Sequence, residues 1–176
     1  MNKKLRLEEL GRKSLEEYKL SVKFPIILVL DDVRSHHNVG SAFRTADAFN
    51  VEEIVLCGIS PCPPHREIRK TALGASESVK WSHQKSALDF VLDKKSKGWK
   101  IVSVEQCSQS ISLESFKVEP EPSLIILGNE VEGVSQELID ISDVCLEIPQ
   151  FGTKHSLNVS VALGVSVWEI AKGFMP

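Results

Sequence analysis

The last predicted strand and the apolar last helix of the chain are joined by the stretch Ile148-Pro149-Gln150-Phe151-Gly152-Thr153-Lys154-His155-Ser156-Leu157-Asn158-Val159-Ser160-Val161-Ala162. Residues 144–148 have the composition of a strand, and Pro149 ends it. Apolar side chains recur at helical spacing over residues 156–171. Ser156 is the predicted N-cap of this helix. Asn158 is a mediocre helix former in the first turn, so its amide is a candidate to face a site.

Strands and helices alternate in the chain before this stretch. Short runs rich in β-branched residues predict strands, and apolar residues at a period of 3.6 predict helices. The predicted strands are residues 26–30, 53–57, 100–104, 123–127 and 144–148, and the predicted helices are residues 5–20, 38–49, 65–73, 86–97, 135–140 and 156–171. This order is typical of an α/β domain with a mainly parallel sheet and helices on both faces. We expect residues 1–176 to form one domain, with residues 1–22 as an N-terminal helical extension.

Composition is ordinary for a soluble globular protein. The chain has 176 residues, of which 42% are hydrophobic and 26% charged, and no apolar run approaches the roughly 18 residues of a membrane span. Four cysteines without a paired framework favour free thiols in a reducing cytosol, so we expect a cytoplasmic protein. The formal net charge of −3 argues mildly against a nucleic-acid partner. Basic residues nevertheless cluster near the N-terminus and around residues 65–70, although clusters this small are more often solvated surface.

Ligands of parallel α/β sheets bind in loops at the carboxyl ends of strands, which directs attention to two further loops. One leads into the motif Asn38-Val39-Gly40-Ser41-Ala42-Phe43-Arg44-Thr45-Ala46-Asp47; the other is Leu127-Gly128-Asn129-Glu130-Val131-Glu132-Gly133-Val134. Taken alone, Asn38 is more simply a helix N-cap and Arg44 a solvated arginine. A glycine directly after a buried strand lets a ligand approach the backbone, although it also fits a plain turn. Neither the dinucleotide fingerprint nor the P-loop pattern occurs in the chain.

Together the three loops resemble the three motifs of the SpoU-type RNA methyltransferases of the SPOUT superfamily. The shared patterns are N-x-G-x-x-x-R-T-A-D-A-F, L-G-N-E-x-x-G and I-P-x-x-G-x-x-x-S-L-N-V-S-V-A, in the family's order, and the resemblance covers residues 26–171. It implies a sheet whose C-terminal part forms a deep trefoil knot, an exception to ordinary chain topology. It also implies S-adenosylmethionine as cofactor, methylation of a ribose 2′-hydroxyl in RNA, no metal, and a homodimer whose interface completes the active site.

The resemblance assigns roles to individual residues. The implied cofactor pocket consists of Leu127, Gly128, Asn129, Ile148, Pro149, Ser156 and Leu157, many of them through backbone groups. The implied catalytic residues are Arg44, Asn38, Glu130, Ser156 and Asn158. Arg44 keeps its proton at ordinary pH, so we expect it to hold an RNA phosphate and stabilise the developing alkoxide rather than act as a base. Asn38 and Asn158 would orient the ribose or the arginine, and Glu130 would fix the loop or the arginine. Ser156 would touch the substrate or cap the helix.

One residue departs from the family pattern, and two classes of RNA are candidate substrates. Gln150 stands where many members have methionine, which bears on how the adenine packs. Compact members more often modify transfer RNA, so tRNA is favoured over ribosomal RNA. Arg66, Arg69 and Lys70 are the candidate contacts with the RNA backbone, ahead of the N-terminal helix.

Two other readings compete with an RNA methyltransferase. One is an RNA-binding member of the same fold that does not catalyse methyl transfer. The other is a metal-dependent hydrolase that uses Cys57, Cys62 and His65, with His36 or His37. The spacing C-x4-C-x2-H fits no standard zinc pattern, which disfavours the hydrolase.

Overall fold

The structure is a computed structural model that describes residues 2–175, except for the side chain of Leu7. The strands are β1 Phe24–Asp31, β2 Val51–Cys57, β3 Trp81–Gln84, β4 Lys100–Val104, β5 Ile111–Ser112, β6 Ser123–Leu127 and β7 Val144–Glu147. The α-helices are α1 Leu15–Leu20, α2 His36–Ala48, α3 Arg66–Ala72, α4 Ala75–Ser78, α5 Ala87–Ser96, α6 Gln136–Ile141 and α7 Val159–Ala171. Turns of 3-10 helix occur at Leu7–Leu10, Leu113–Ser115 and Lys172–Phe174.

All seven strands belong to one parallel sheet in the order β3-β2-β1-β6-β4-β7-β5. Strand β1 lies in the interior of the sheet, where Leu28 pairs with Ile54 of β2 on one side and with Ile125 of β6 on the other. The prediction of an α/β fold with a mainly parallel sheet is therefore confirmed. Parallel strands all end at the same edge, so the loops that follow β1, β4, β6 and β7 are brought together there.

Helices cover both faces of the sheet, and alternate residues of the central strands supply the two cores. Leu28 and Leu30 belong to the larger core, which α2 and α7 help to form. Ile27 and Val29 belong to the smaller core, which includes residues of α5 and α6. All four side chains are essentially inaccessible to water. Burying a side chain of this size contributes roughly 1.5–3 kcal/mol, so the strands form a rigid support for the loops at their carboxyl ends.

The predicted helix over residues 5–20 is wrong as a single element. A 3-10 turn at Leu7–Leu10 ends at Gly11, whose φ of 59° lies in the left-handed region and interrupts the helix. A new helix, α1, begins after Ser14, whose hydroxyl accepts a hydrogen bond from the Glu17 N–H. Tyr18 is the buried residue of α1, and its hydroxyl donates to the Ala46 carbonyl at 3.4 Å.

Sequence analysis missed two strands because they are short and contain few apolar residues. β3 has the sequence Trp81-Ser82-His83-Gln84, and β5 consists of Ile111 and Ser112. Both lie at the edges of the sheet, where one side of the strand needs no partner. A polar run of two to four residues has no periodicity to distinguish it from a loop, so only the neighbouring strand identifies it.

Candidate active site at the carboxyl ends of β4, β6 and β7

A cleft of about 570 Å³ opens where β4, β6 and β7 end. Its volume lies within the range of roughly 300–1,000 Å³ that small-molecule sites occupy. Strand β4 and the loop that follows it contribute Val104, Glu105 and Gln106 to the lining, and β6 with its loop contributes residues 127–133. The remaining lining residues come from β7, the final loop and the start of α7: Leu146, Glu147, Ile148, Gln150, His155, Ser156, Leu157, Asn158, Val159 and Ala162. Of the residues expected to bind cofactor, Leu127, Gly128, Asn129, Ile148, Ser156 and Leu157 line this cleft, and Pro149 does not.

The loop after β6 packs its backbone against itself. The N–H of Asn129 donates to the Gly133 carbonyl at 3.0 Å, and the Gly133 N–H donates back to the Asn129 carbonyl at 2.9 Å. A Cβ atom at Gly128 would lie 2.0 Å from the Gly133 carbonyl carbon, so no other residue fits without moving the loop. Gly133 has a φ of 72°, which favours glycine at this position too. These contacts hold the floor of the cleft in a fixed shape.

Asn38, Glu130 and Asn158 meet in one hydrogen-bond network. The Asn38 amide Nδ2 donates to Glu130 Oε1 at 2.9 Å, and the Asn158 amide Nδ2 donates to Asn38 Oδ1 at 3.2 Å. Asn38 is only 8% exposed, so its amide needs these partners. The three residues come from three separate motifs, and their contact joins α2, the loop after β6 and the start of α7.

The prediction that Asn38 begins its helix is wrong. α2 begins at His36, and the hydroxyl of Ser35 accepts the hydrogen bond from the Asn38 N–H at 3.3 Å. Asn38 is thus a buried residue of the first turn, and its side chain is available to Glu130 and Asn158. This position excludes the simple N-cap interpretation and leaves the amide in the site.

Glu130 accepts three hydrogen bonds, two of them from backbone. Its carboxylate receives the N–H of Arg34 at 2.9 Å and the N–H of Ser35 at 3.0 Å, in addition to the Asn38 amide. Burial raises the pKa of Glu130, but these hydrogen bonds outweigh burial and hold its pKa below the ordinary value. Glu130 is therefore an ionised acceptor that ties the loop after β6 to the loop after β1.

The last helix also begins later than predicted. α7 starts at Val159, and Asn158 is its N-cap, because Asn158 Oδ1 accepts the Ser160 N–H at 2.8 Å. Ser156 is therefore not the N-cap; it lies two residues earlier and lines the cleft. The segment before the helix is anchored by Gln106, whose Nε2 donates to the His155 carbonyl at 2.7 Å. Sequence reasoning missed Gln106 because the loop after β4 carries no motif.

Arg44 lies away from the cleft in the same chain. It is exposed on α2 and lines a second depression with Ser41, Thr45, Ala48, Phe49, Lys70 and Thr71. This depression shares no lining residue with the cleft. Within the described residues the guanidinium of Arg44 forms no hydrogen bond and no ion pair. The structure thus gathers Asn38, Glu130, Ser156 and Asn158 at one place and leaves Arg44 at another.

The candidate RNA-binding residues and the candidate metal ligands are separate features. Arg66, Arg69 and Lys70 are all exposed on α3.

Residues 2–175 contain no group of three histidine, cysteine, aspartate or glutamate side chains that could hold a metal ion. The ring of His65 lies against that of His36, with centroids 3.9 Å apart and the ring planes tilted by 35°. In the same described part of the chain, no helix has the length and apolar composition needed to cross a membrane.

The fold and the site define a class: parallel α/β domains that bind a small ligand at the carboxyl ends of their strands. Sequence comparison narrows this class. The model of the SpoU rRNA Methylase family matches residues 25–168, and the chain belongs to that family. The predicted family membership is therefore confirmed.

Named relatives act on two kinds of RNA. A tRNA (guanosine(18)-2′-O)-methyltransferase of Mus musculus is 32% identical over 149 residues, which are 84% of this chain and 9% of that protein. The tRNA (guanosine(18)-2′-O)-methyltransferase of Aquifex aeolicus is 29% identical over 150 residues, covering 82% of this chain and 67% of the relative. A 23S rRNA (guanosine-2′-O-)-methyltransferase of Ralstonia nicotianae is 30% identical and is covered over 59% of its length.

Solved structures show the same fold. The A. aeolicus TrmH/SpoU tRNA modifying enzyme superposes with a TM-score of 0.80 at 26% identity, over 90% of this chain and 80% of that one. An AdoMet-bound rRNA methyltransferase from Sinorhizobium meliloti also gives a TM-score of 0.80 at 26% identity, over 86% of this chain and 57% of that one. The chain therefore corresponds to one part of several longer relatives.

Proposed function

We propose that this chain is an S-adenosylmethionine-dependent methyltransferase that modifies a ribose 2′-hydroxyl in RNA. The observation that carries the proposal is the network of Asn38, Glu130 and Asn158, which unites the three family motifs beside one ligand-sized cleft. The names of the relatives support the reaction. Of the two RNA classes, transfer RNA is our preferred substrate and ribosomal RNA the alternative.

The cleft fits S-adenosylmethionine by size and by charge. The absence of a Cβ at Gly128 lets the loop after β6 fold tightly at the floor of the cleft, and Leu127 and Leu157 supply apolar surface. The lining carries several carboxylates and, among the described residues, no lysine or arginine. An acidic lining favours a cationic ligand. When bound, S-adenosylmethionine supplies a methyl group on a positively charged sulfur, which is already reactive toward an oxygen nucleophile.

The protein's own contribution is alignment and charge stabilisation. The amides of Asn38 and Asn158 are fixed by their mutual hydrogen bond and lie beside the cleft, where they can orient a ribose. Ser156 lines the cleft and offers a hydroxyl to the substrate. Arg44 stabilises the negative charge that develops on the attacking oxygen. Glu130 stays ionised and positions Asn38 rather than exchanging a proton.

Because Arg44 lies outside the cleft of its own chain, the proposal requires a second copy that brings its Arg44 to this cleft. A surface suited to such a homodimer lies on α7. Val161, Val165 and Trp168 are 50%, 39% and 50% exposed there, and Trp168 packs edge-on against Phe49 of the Arg44 depression. Burying these apolar side chains against a second α7 would drive association.

The finer features of the fold are part of the same proposal. Strand β7 lies beyond β4, yet α7 packs against α2 on the β1 side of the sheet. The chain must therefore return across the ends of β4 and β6, a path compatible with a trefoil knot.

We take residues 1–176 as one catalytic domain with residues 1–22 as an extension. The four cysteines are unpaired, which supports a cytoplasmic location.

The test uses methyl-labelled S-adenosylmethionine with unmodified tRNA transcripts and, separately, 23S rRNA. The expected product is a labelled 2′-O-methylated nucleoside, formed by the wild type and lost in Arg44→Ala and Asn158→Ala. Mixing the two inactive variants should restore part of the activity, because a mixed dimer retains one intact site. Label on a base would contradict the proposed chemistry. Binding of the cofactor without transfer to any RNA would favour a non-catalytic RNA-binding protein.

A further inference from the structure

The final loop, residues 149–157 between β7 and α7, is exposed and forms few contacts. Residues 151–157 are all exposed to solvent. Four residues of the loop nevertheless line the cleft, namely Gln150, His155, Ser156 and Leu157. Within residues 2–175 the loop forms a single hydrogen bond, which Gln106 Nε2 donates to the His155 carbonyl at 2.7 Å. Segments with so few backbone hydrogen bonds open easily, so the position of the loop depends strongly on this contact.

Both ends of the final loop are fixed by the rest of the fold. Strand β7 lies within the sheet and ends at Glu147. Asn158, the N-cap of α7, donates a hydrogen bond to Asn38 at 3.2 Å. Movement is therefore confined to the residues between these two points, and there the Gln106 side chain is what holds His155.

Glu105 keeps Gln106 in place, so Gln106 is a rigid partner for the final loop. The Glu105 N–H donates to the Leu146 carbonyl at 3.0 Å and extends the pairing of β4 with β7. The Glu105 carboxylate accepts the Gln106 N–H at 2.7 Å and the Val134 N–H at 3.0 Å. The loop after β4 thus connects β7 to the loop after β6, and the Gln106 side chain extends this connection to the final loop.

We infer that Gln106 is a positioning residue for the cofactor, because its hydrogen bond to His155 keeps the final loop in the conformation that lines the cleft. This inference rests on the proposed use of S-adenosylmethionine. When a protein adopts its binding-competent conformation for only part of the time, its apparent dissociation constant rises in proportion. Removal of this hydrogen bond lowers the occupancy of the competent conformation, so it weakens cofactor binding and leaves the chemistry of the bound state intact.

The first measurement is isothermal titration calorimetry of S-adenosylmethionine with the wild type and with Gln106→Ala. The loss of one neutral hydrogen bond corresponds to about a three- to tenfold change in an equilibrium constant, and we expect the dissociation constant to rise by that factor. In RNA methylation assays the KM for S-adenosylmethionine should rise by the same factor, and kcat should change little because saturating cofactor selects the competent loop. A merely structural defect would instead lower kcat through loss of folded protein and leave KM unchanged.

Trypsin cleavage after Lys154 reports on the final loop itself. Lys154 is exposed and directly precedes His155. Without cofactor, Gln106→Ala should be cleaved after Lys154 several-fold faster than the wild type, as measured by mass spectrometry of the fragment that begins at His155. Gln106→Glu keeps the size of the side chain but has no donor at pH 7, so it should be cleaved as fast as Gln106→Ala. Saturating cofactor should slow this cleavage in all three proteins.

Gln109→Ala is the matched control, because Gln109 is an exposed glutamine of the same loop and forms no side-chain hydrogen bond within residues 2–175. Its cofactor affinity and cleavage rate should equal those of the wild type. The inference is wrong if Gln106→Ala binds the cofactor as tightly as the wild type, if it binds more weakly without faster cleavage after Lys154, or if the control changes equally. If the wild type binds S-adenosylmethionine but methylates no RNA, and Gln106→Ala weakens that binding and speeds the cleavage, the positioning role stands and the proposed reaction fails.

Discussion

The substitution Glu130→Gln tests whether the network around this carboxylate holds the site together. In the wild type, Oε1 accepts from the Ser35 N–H and the Asn38 amide, and Oε2 accepts from the Arg34 N–H. Glutamine keeps one oxygen but places an NH2 group where the second oxygen stood. One of the backbone N–H groups then faces another donor and loses its partner.

The expected cost follows from the number of donors affected. A hydrogen bond to a charged group contributes about 1.5–3 kcal/mol, and an unsatisfied buried donor costs about 1–3 kcal/mol. Because Glu130 is partly exposed, water relieves some of this cost, and we expect the free energy of unfolding to fall by about 1–2 kcal/mol. For a chain of this length, each 1 kcal/mol lowers Tm by about 2–4 °C. Differential scanning fluorimetry should therefore detect a clear decrease in Tm at pH 7.

The pH dependence gives a second, independent readout. The pKa of Glu130 is lowered on folding, so its contribution to stability is fully present above the ordinary value of 4.5 and is lost as pH falls through the folded pKa. The difference in Tm between wild type and Glu130→Gln should shrink below pH 4.5. Glu119→Gln, the same substitution at an exposed carboxylate that forms no side-chain hydrogen bond or ion pair within residues 2–175, serves as the control for a mere change of charge. A Glu130→Gln protein as stable as the wild type at pH 7, or a difference independent of pH, would refute the assignment.

Three further predictions follow from the packing of Gly128, Asp31 and Cys57. Gly128→Ala should lower stability by about 1–3 kcal/mol through overpacking and should abolish cofactor binding in calorimetry, because its Cβ would lie 2.0 Å from the Gly133 backbone. Burial raises the pKa of Asp31 despite hydrogen bonds from Ser135, and a carboxyl group with a raised pKa lowers the stability of the protein at any pH where the group is ionised. Asp31→Asn should therefore increase the free energy of unfolding at pH 7. In urea unfolding this increase should disappear toward pH 4. Iodoacetamide at pH 8 should leave Cys57 unmodified by mass spectrometry until urea is added, because burial raises the pKa of its thiol to about 12.

The elements that the sequence predicted well are those with strong periodicity. The runs at residues 26–30 and 123–127 became the central strands β1 and β6, because fully buried strands must be continuously apolar. The N-terminal helix failed because its apolar residues continue across Gly11, whose left-handed conformation breaks the helix. Leucines on both sides of the break, such as Leu10 and Leu15, remain 40% and 44% exposed, so no packing compensates for it.

At the site, the motifs indicated candidate residues but could not show which of them meet. The helix starts were misplaced by two or three residues, because both Ser35 and Asn158 are good caps and the sequence offers several candidates near each helix. The geometry of α2 explains the position of Arg44. Six residues of helix separate it from Asn38, which corresponds to about 9 Å along the axis and to a different side of the helix. Asn38 and Arg44 therefore lie on different sides of α2, and Arg44 does not line the cleft of its own chain.

This separation also accounts for the acidic net charge, which argued against an RNA partner. Four carboxylates, those of Glu105, Glu130, Glu132 and Glu147, line the cleft. The four negative charges of these carboxylates exceed the formal net charge of −3, so the rest of the chain has a small positive formal charge. Acidic residues are concentrated where a cationic cofactor would bind, and the depression that Arg44 and Lys70 line contains no carboxylate among its described lining residues. Net charge averages these two regions of opposite sign, so it carries little information about the partner of a chain whose charged residues are divided in this way.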